Sequence, residues 1–423
     1  MIRRLRHLAL DLSPLRDSRQ FRWLFTGQLI SLIGRQITVV AVPYRVYVLT
    51  HSSLRVGLLG VVQLVPFIVF SLVAGTIADQ VDRRRLLLIT QALLALTSFL
   101  LVLGALEGHP PLWYLYAIAA AAAGISAVDQ PTRTATMPNL VSGAQLASAV
   151  SLNFALFQLG IIAGPAVGGL VIAHVGLPVA YSIDVLTFGA ALWAVFLLSP
   201  QLPIGRQPES PLTAVLAGFA FLRRTPVITS GYALDLTAMI LSMPRALFPA
   251  LALSVYHVGP SGLGLLYSAP GVGGVVGSML SGFVRHLRHP GRTVIFAVAG
   301  WGLAITLFGL ATASIWLAVF FLSLAGAADA ISAIARNTIM QTLAPDRLRG
   351  RLSAVYSMVV VSGPYLGDTR AGAVASAFSP QFADVAGGLM SLAGCLAIRL
   401  AFPQIWRFDA KQAAVEGPAE PGS

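Results

Sequence analysis

The sequence predicts an all-α polytopic membrane protein, with twelve transmembrane helices in two pseudo-symmetric six-helix halves. Three observations predict it: an apolar composition, hydrophobic blocks separated by arginine-bearing breaks, and a repeat between the halves. Of 423 residues, 56% are apolar and 10% charged, and the mean hydropathy is +0.79. A span takes roughly 20 mostly apolar residues, so about twelve spans take roughly 240 positions. The apolar residues nearly supply that number. This composition excludes a soluble enzyme, a secreted disulfide scaffold and a disordered regulator.

The blocks run 22–49, 55–78, 86–106, 112–137, 146–173 and 177–199 in the first half. Those of the second half are 226–252, 261–284, 293–312, 315–342, 352–377 and 382–402. The break from Ser199 to Pro211 carries Pro200, Pro203, Pro208 and Pro211 and is the longest polar interruption. The expected organisation is a leader (1–21), a first half (22–199), a linker (200–225), a second half (226–402) and a tail (403–423).

Arginine placement orients the chain. The segments predicted to lie inside hold 20 of the 28 basic residues, from Arg3 and Arg83 to Arg351 and Lys411. The outside segments hold only Arg55. Translocating arginine and lysine is costly, so they collect in cytoplasmic loops. Both termini are therefore expected in the cytoplasm, with the six arginines of Met1 to Arg22 retained in a cytoplasmic leader rather than cleaved with a signal peptide. The net charge of +12 is split into these small clusters, which match a lipid bilayer and not nucleic acid. The one cysteine, Cys395, excludes an intramolecular disulfide.

The halves align at an offset of 203 residues. Arg133 falls on Arg336, Met137 on Met340, Gly160 on Gly363, Gly164 on Gly367 and Gly169 on Gly372. Duplicated six-helix halves are a transporter architecture with the substrate held between them near the bilayer midplane.

The break after the second block contains Gly75, Ala78, Asp79, Gln80, Asp82, Arg83, Arg84 and Arg85. Gly75 is expected to permit close helix approach, and Asp79 to place an acid at a cytoplasmic helix end. The segment resembles the signature loop between helices 2 and 3 of the major facilitator superfamily, with Gln80 and Asp82 departing from the pattern. The resemblance implies that Gly75, Asp79, Arg83 and Arg84 form a gate loop. The related position of the second half keeps Gly282 and Arg292 without the acid.

The fifth block carries Gly160, Gly164, Pro165, Gly168 and Gly169. Small residues four apart let helices pack closely, and proline bends them. This run also resembles the antiporter motif of helix 5 in that superfamily, which is associated with export coupled to proton entry. Asp129 to Pro138, Arg347 to Arg351 and Gly363 to Asp368 resemble its enterobactin-exporter-like branch, the transmembrane secretion effectors. The resemblance spans roughly residues 15–402.

Ionisable residues inside a membrane are functional candidates because an unpaired charge there is expensive. Asp129 and Arg133, one turn apart, are expected to pair, either for proton coupling or for packing. Asp329 and Arg336 lie two turns apart in the tenth block. Arg35 and Arg45 lie in the first, Asp235 and Arg245 in the seventh, Asp184 in the sixth, and Asp368 and Arg370 in the eleventh. The resemblance implies that helices 1, 4, 7 and 10 line the central cavity. The proton-coupling candidates are therefore Asp129, Arg133, Arg35, Asp235, Arg245, Asp329 and Arg336, while Asp184 reads as a packing residue.

The histidines lack metal-ligand spacing and no Walker loop occurs, so no metal, cofactor or ATP is expected. With no catalytic cluster, the chain is not expected to be an enzyme. The expectation is a monomeric secondary transporter in the cell membrane, exporting a small molecule such as a siderophore or drug against protons. An importer or facilitator on the same fold is the alternative, and a membrane enzyme or sensor a third reading.

Overall fold

The computed structural model describes residues 11–202, 218, 220–280, 282, 287–410 and 412, without the side chains of residues 76, 79, 346–351, 353, 354 and 357. Arg3, Arg4, Arg6, Arg206, Arg285, most of the linker, and the tail apart from residues 403–410 and 412 therefore lie outside the described residues. Among those described there is no strand.

The helices follow the hydrophobic blocks. The first four are α1 (Arg19–Thr50), α2 (Ser53–Gln80), α3 (Arg83–Leu106) and α4 (Leu112–Leu140). A continuous helical run from Leu146 to Phe196 follows. At 1.5 Å per residue it would be ~77 Å long, more than two bilayer thicknesses. Gly176, at φ +81°, divides it into α5 (146–175) and α6 (177–196). A side chain is strained in that left-handed region, so glycine is the residue that makes the turn.

The second half comprises α7 (Pro226–Ser242, resuming over 245–255 after a break), α8 (Gly259–Met279), α9 (Pro290–Leu310), α10 (Ile315–Leu343), α11 (Asp346–Ala377) and α12 (Pro380–Ala401). Nine described stretches have the length and hydropathy of a span. Gly143–Phe196 is one of these and, divided at Gly176, is long enough to cross twice. Glycine-rich α8 and charge-bearing α11 complete the twelve.

One block expected to be continuous is broken. After Ser242 the backbone of Met243 is extended (ψ 118°), and helical turns resume at Arg245, ending in a π-helical turn over Leu251–Val255. Pro244 is the cause: it has no N–H to donate and disfavours helical geometry at the residue before it.

The described chain packs as two compact units whose boundary falls within α1 and α2. Residues up to 42 and 65–208 form the first, and residues 43–64 and those from 209 onward the second. In the first unit α1 lies between α5 and α6. A Cβ on Gly160 would strike Leu32, one on Gly164 would strike Gln36, and one on Gly168 would stand 3.0 Å from the Ile37 Cα. On the other side, Gly27 and Gly34 face Ala194 and Asp184 of α6. Within the second unit, residues 53–60 pack on α11, where the Thr369 hydroxyl donates to the Gly57 carbonyl at 2.9 Å and Gly60 faces the Tyr365 carbonyl.

Candidate functional site

In the first unit, Arg133 Nε donates to Asp129 Oδ2 at 2.8 Å, the expected pairing across one turn of α4. Two side chains of α3 complete the carboxylate: Thr90 Oγ1 and Gln91 Nε2 each donate to Oδ1 at 2.7 Å. Asp129 is 1% exposed and Arg133 5%, so the pair sits away from solvent, where such hydrogen bonds keep a buried charge tolerable. Arg133 leaves Nη1 and Nη2 buried without a hydrogen-bond partner, and Arg35 of α1 leaves its Nε so. Arg35 lies in the field of Asp129, Arg133 and Asp184. The group thus presents spare N–H donors around one shared carboxylate.

In the second unit, Arg336 of α10 pairs with Asp235 of α7 and approaches Asp329 Oδ1 at 3.8 Å. The structure therefore joins three of the expected residues across two helices. It separates Arg245 from them: Arg245 Nε donates to Asp368 Oδ2 at 3.0 Å, while Asp368 Oδ1 accepts the Ala246 backbone N–H at 3.1 Å. Arg370, two residues on, donates to the Leu241 carbonyl and, at 3.1 Å, to that of Ala383. Asp368 and Arg370 of α11 thus bracket the break in α7. The acid lies at the N-terminal end of the resumed helix and the base at the C-terminal end of the first segment, as helix dipoles favour.

The gate-loop residues have mixed outcomes. Asp82 caps α3, accepting from the Arg84 backbone N–H at 2.9 Å and that of Gln201 at 2.8 Å. This gives a physical role to the acid that departs from the family pattern. Arg83 donates to the Ala135 carbonyl of α4 at 2.8 Å, and Arg84 to the Phe196 carbonyl of α6 at 2.6 Å. Both arginines therefore tie the loop to neighbouring helix ends. Gly75 departs from expectation: no described atom lies within 4 Å of where its Cβ would stand, so it marks no close approach in this structure. The Asp79 side chain lies outside the described residues.

The fifth-block motif is a helix-packing seam in its geometry. Gly160, Gly164 and Gly168 seat α1, and Gly169 and Pro165 are buried on α5. Gly363 and Gly367 of α11 face Met239 of α7. Met239 lies 203 residues beyond Gln36, so the repeat offset found in sequence reappears in the contacts.

Uncharged members of the site gave little sequence signal. Thr90 and Gln91 are ordinary residues of an apolar block until α3 lies against α4. On α10, a pocket of about 390 Å³ is lined by Ile334, Asn337, Thr338 and Gln341, next in sequence to Arg336. Asp384 of α12, 2% exposed, is also absent from the sequence-derived candidates.

Comparison with known proteins agrees with this fold. Residues 9–419 match the family model described as transmembrane secretion effector. The chain is 31% identical over 395 residues to the enterobactin exporter EntS of Citrobacter koseri, covering 92% of this chain and 94% of that one. The solved nucleoside transporter NupG superposes with a TM-score of 0.73 at 13% identity, covering 92% of this chain and 100% of that one. A bacterial homologue of the lysosomal transporter Spinster, in an inward-facing state, superposes with a TM-score of 0.70 at 15% identity, covering 95% and 98%. The chain belongs to the transmembrane secretion effectors, a branch of the major facilitator superfamily of secondary transporters, and is not an enzyme.

Proposed function

We propose that this transporter is an exporter, driving a small molecule of the siderophore or secondary-metabolite kind out of the cell against inward-moving protons. The observation that carries the reading is the buried Asp129–Arg133 pair, an acid with a removable cation at its side. Burial and a neighbouring arginine act on a carboxylate's proton in opposite senses. A rearrangement that parts the two therefore changes whether the proton is held, and gives the protein two states that substrate and proton can favour differently. The relatives named as enterobactin exporters support the outward direction. The arginine asymmetry supports a cell-membrane orientation with both termini in the cytoplasm, and each monomer holds a complete set of these residues.

Asp129→Asn is expected to abolish efflux driven by a pH gradient while leaving substrate binding and downhill exchange intact. Efflux from reconstituted vesicles, measured across pH and normalised to folded protein, reads this directly. An unchanged pH profile in well-folded Asp129→Asn protein would move the coupling role to another carboxylate, with Asp235 and Asp329 next.

A further inference from the structure

The second unit carries an apolar groove that plays no part in the charge network. It runs along α9 from Thr293 and Phe296 past Gly300 to Leu307, is walled by Leu324 and Ala328 of α10, and encloses about 440 Å³. That volume suits one small ligand or chain. Gly300 and Ala328 meet at its floor, where a Cβ on Gly300 would stand 3.7 Å from that of Ala328. Phe296 is 65% exposed and Leu324 48%, so the groove is open, and an open apolar face on spanning helices meets lipid tails as apolar as itself. Thr293 to Leu307 rise ~21 Å along the helix, whereas one leaflet's share of the hydrocarbon core is about 15 Å. A chain entering at Thr293 therefore reaches the bilayer midplane within the groove.

The mouth at Thr293 is charged. After α12, residues Pro403–Arg407 form a short helix that lies against the start of α9. Arg292 Nε donates to the Trp406 carbonyl at 3.0 Å, and a Cβ on Gly291 would strike the Ile405 carbonyl. The Trp406 ring packs edge-to-face on Phe296, with centroids 5.7 Å apart, and so touches the groove wall itself. Over the same ring stand the guanidinium groups of Arg292, 5.2 Å from its centroid, and of Arg399 on α12, at 4.2 Å. A cation–π contact orients a guanidinium without neutralising it. Arg288 is paired with Asp409, but Arg292 and Arg399 have no carboxylate within 4.0 Å among the described residues. Two uncompensated cations thus gather where α9 begins, beside a tryptophan of the kind that marks the membrane–water boundary.

We propose that this groove and the arginines at its mouth bind one anionic phospholipid, its acyl chain along α9 and α10 and its phosphate on Arg292 and Arg399. The apolar length and the charge each fit one part of that molecule. Guanidinium forks match phosphate oxygens, and a mouth with net positive charge favours an anionic headgroup over a zwitterion. Trp406 occupies the level between them, with an apolar ring against Phe296 and a polar indole N–H. Such a lipid buttresses α9, α10 and α12 whichever way the substrate moves.

Purified full-length protein, stripped of lipid in mild detergent, is titrated with phosphatidylglycerol or with phosphatidylcholine of the same chains, and bound lipid is counted by native mass spectrometry. One phosphatidylglycerol is expected to bind more tightly than phosphatidylcholine and to raise the melting temperature. Arg399→Gln and Arg292→Gln are each expected to weaken phosphatidylglycerol binding about fivefold, the worth of one cation beside an anionic headgroup. Arg22→Gln, the same charge change in the first unit, is expected to leave it unchanged. Ala328→Leu fills the groove and is expected to weaken binding with every arginine in place. Glycerol phosphate, the headgroup without chains, is expected not to compete at the lipid's own concentration. Equal binding of the two lipids, an equal loss in Arg22→Gln, or unchanged binding in Ala328→Leu overturns the proposal. So does competition by glycerol phosphate, which marks a free-phosphate site, or a dimer without bound lipid, which marks a second copy of the chain on this face. The comparison of the two lipids on wild-type protein needs no variant and decides the matter if a variant fails to fold.

Discussion

Arg133 and Arg336 occupy equivalent places in the duplicated halves, yet they are neutralised differently. Arg133 takes its acid from its own helix, and α3 lends two uncharged donors to that acid. Arg336 reaches across from α10 to Asp235 of α7, with Asp329 as a second acid. The first pair moves with one helix, whereas the second fastens two helices together. Duplication thus kept the cation and let the acids drift, making one half's charge pair an internal feature of a helix and the other's a crosslink.

The largest effect that distinguishes these arrangements comes from removing each cation in turn. Arg336→Met leaves Asp235 without its contacting cation and is expected to cost ~3–5 kcal/mol of stability. Arg133→Met is expected to cost roughly 2 kcal/mol, because Thr90 and Gln91 still donate to Asp129. Chemical denaturation in mild detergent compares them, and equal losses would mean that the two neutralising schemes are energetically the same.

A smaller effect is expected at the equivalent glycines Gly164 and Gly367. A Cβ at Gly164 meets the Cβ of Gln36 and one at Gly367 comes closer still to the backbone carbonyl oxygen of Met239; neither atom moves with a rotamer, so the helices must give at both sites, and further at Gly367. Overpacking costs about 1–3 kcal/mol, so Gly367→Ala is placed at the upper end and Gly164→Ala at the lower. Thermal unfolding of the two variants ranks them, and the reverse order would show that α7 shifts more easily than α1.

The smallest effect concerns Asp82, the cap of α3. Asp82→Ala is expected to cost ~1 kcal/mol and Asp82→Asn much less, since the amide oxygen still accepts from Arg84. Amide exchange over the first turn of α3 reads this locally, and equal protection in Asp82→Ala would assign the tie to Arg83 and Arg84 instead.

The elements legible in sequence are those whose signal is local. Hydrophobic runs mark all twelve helices because a bilayer imposes one length on each. Asp129–Arg133 is legible because four residues along a helix is one turn. Asp235–Arg336 is not, because about a hundred residues separate its members and only folding brings α7 against α10. The break in α7 left its trace in Pro244, but the apolar run on either side outweighed one proline in a hydropathy reading. Asp184 shows the converse: its place in an apolar block was plain, while its hydroxyl partners Thr38 and Ser98 emerge only from the contacts of α1, α3 and α6.

The break in α7 also has a mechanical meaning. An unbroken helix transmits push and twist from end to end as a stiff rod does. At Met243–Pro244 the rod is cut, and force passing along α7 must detour through the side chains of Asp368 and Arg370 on α11. Those two residues are the splint across the break: each holds one cut end of α7 to the same turn of α11, so the stiffness lost from the backbone is returned by side chains.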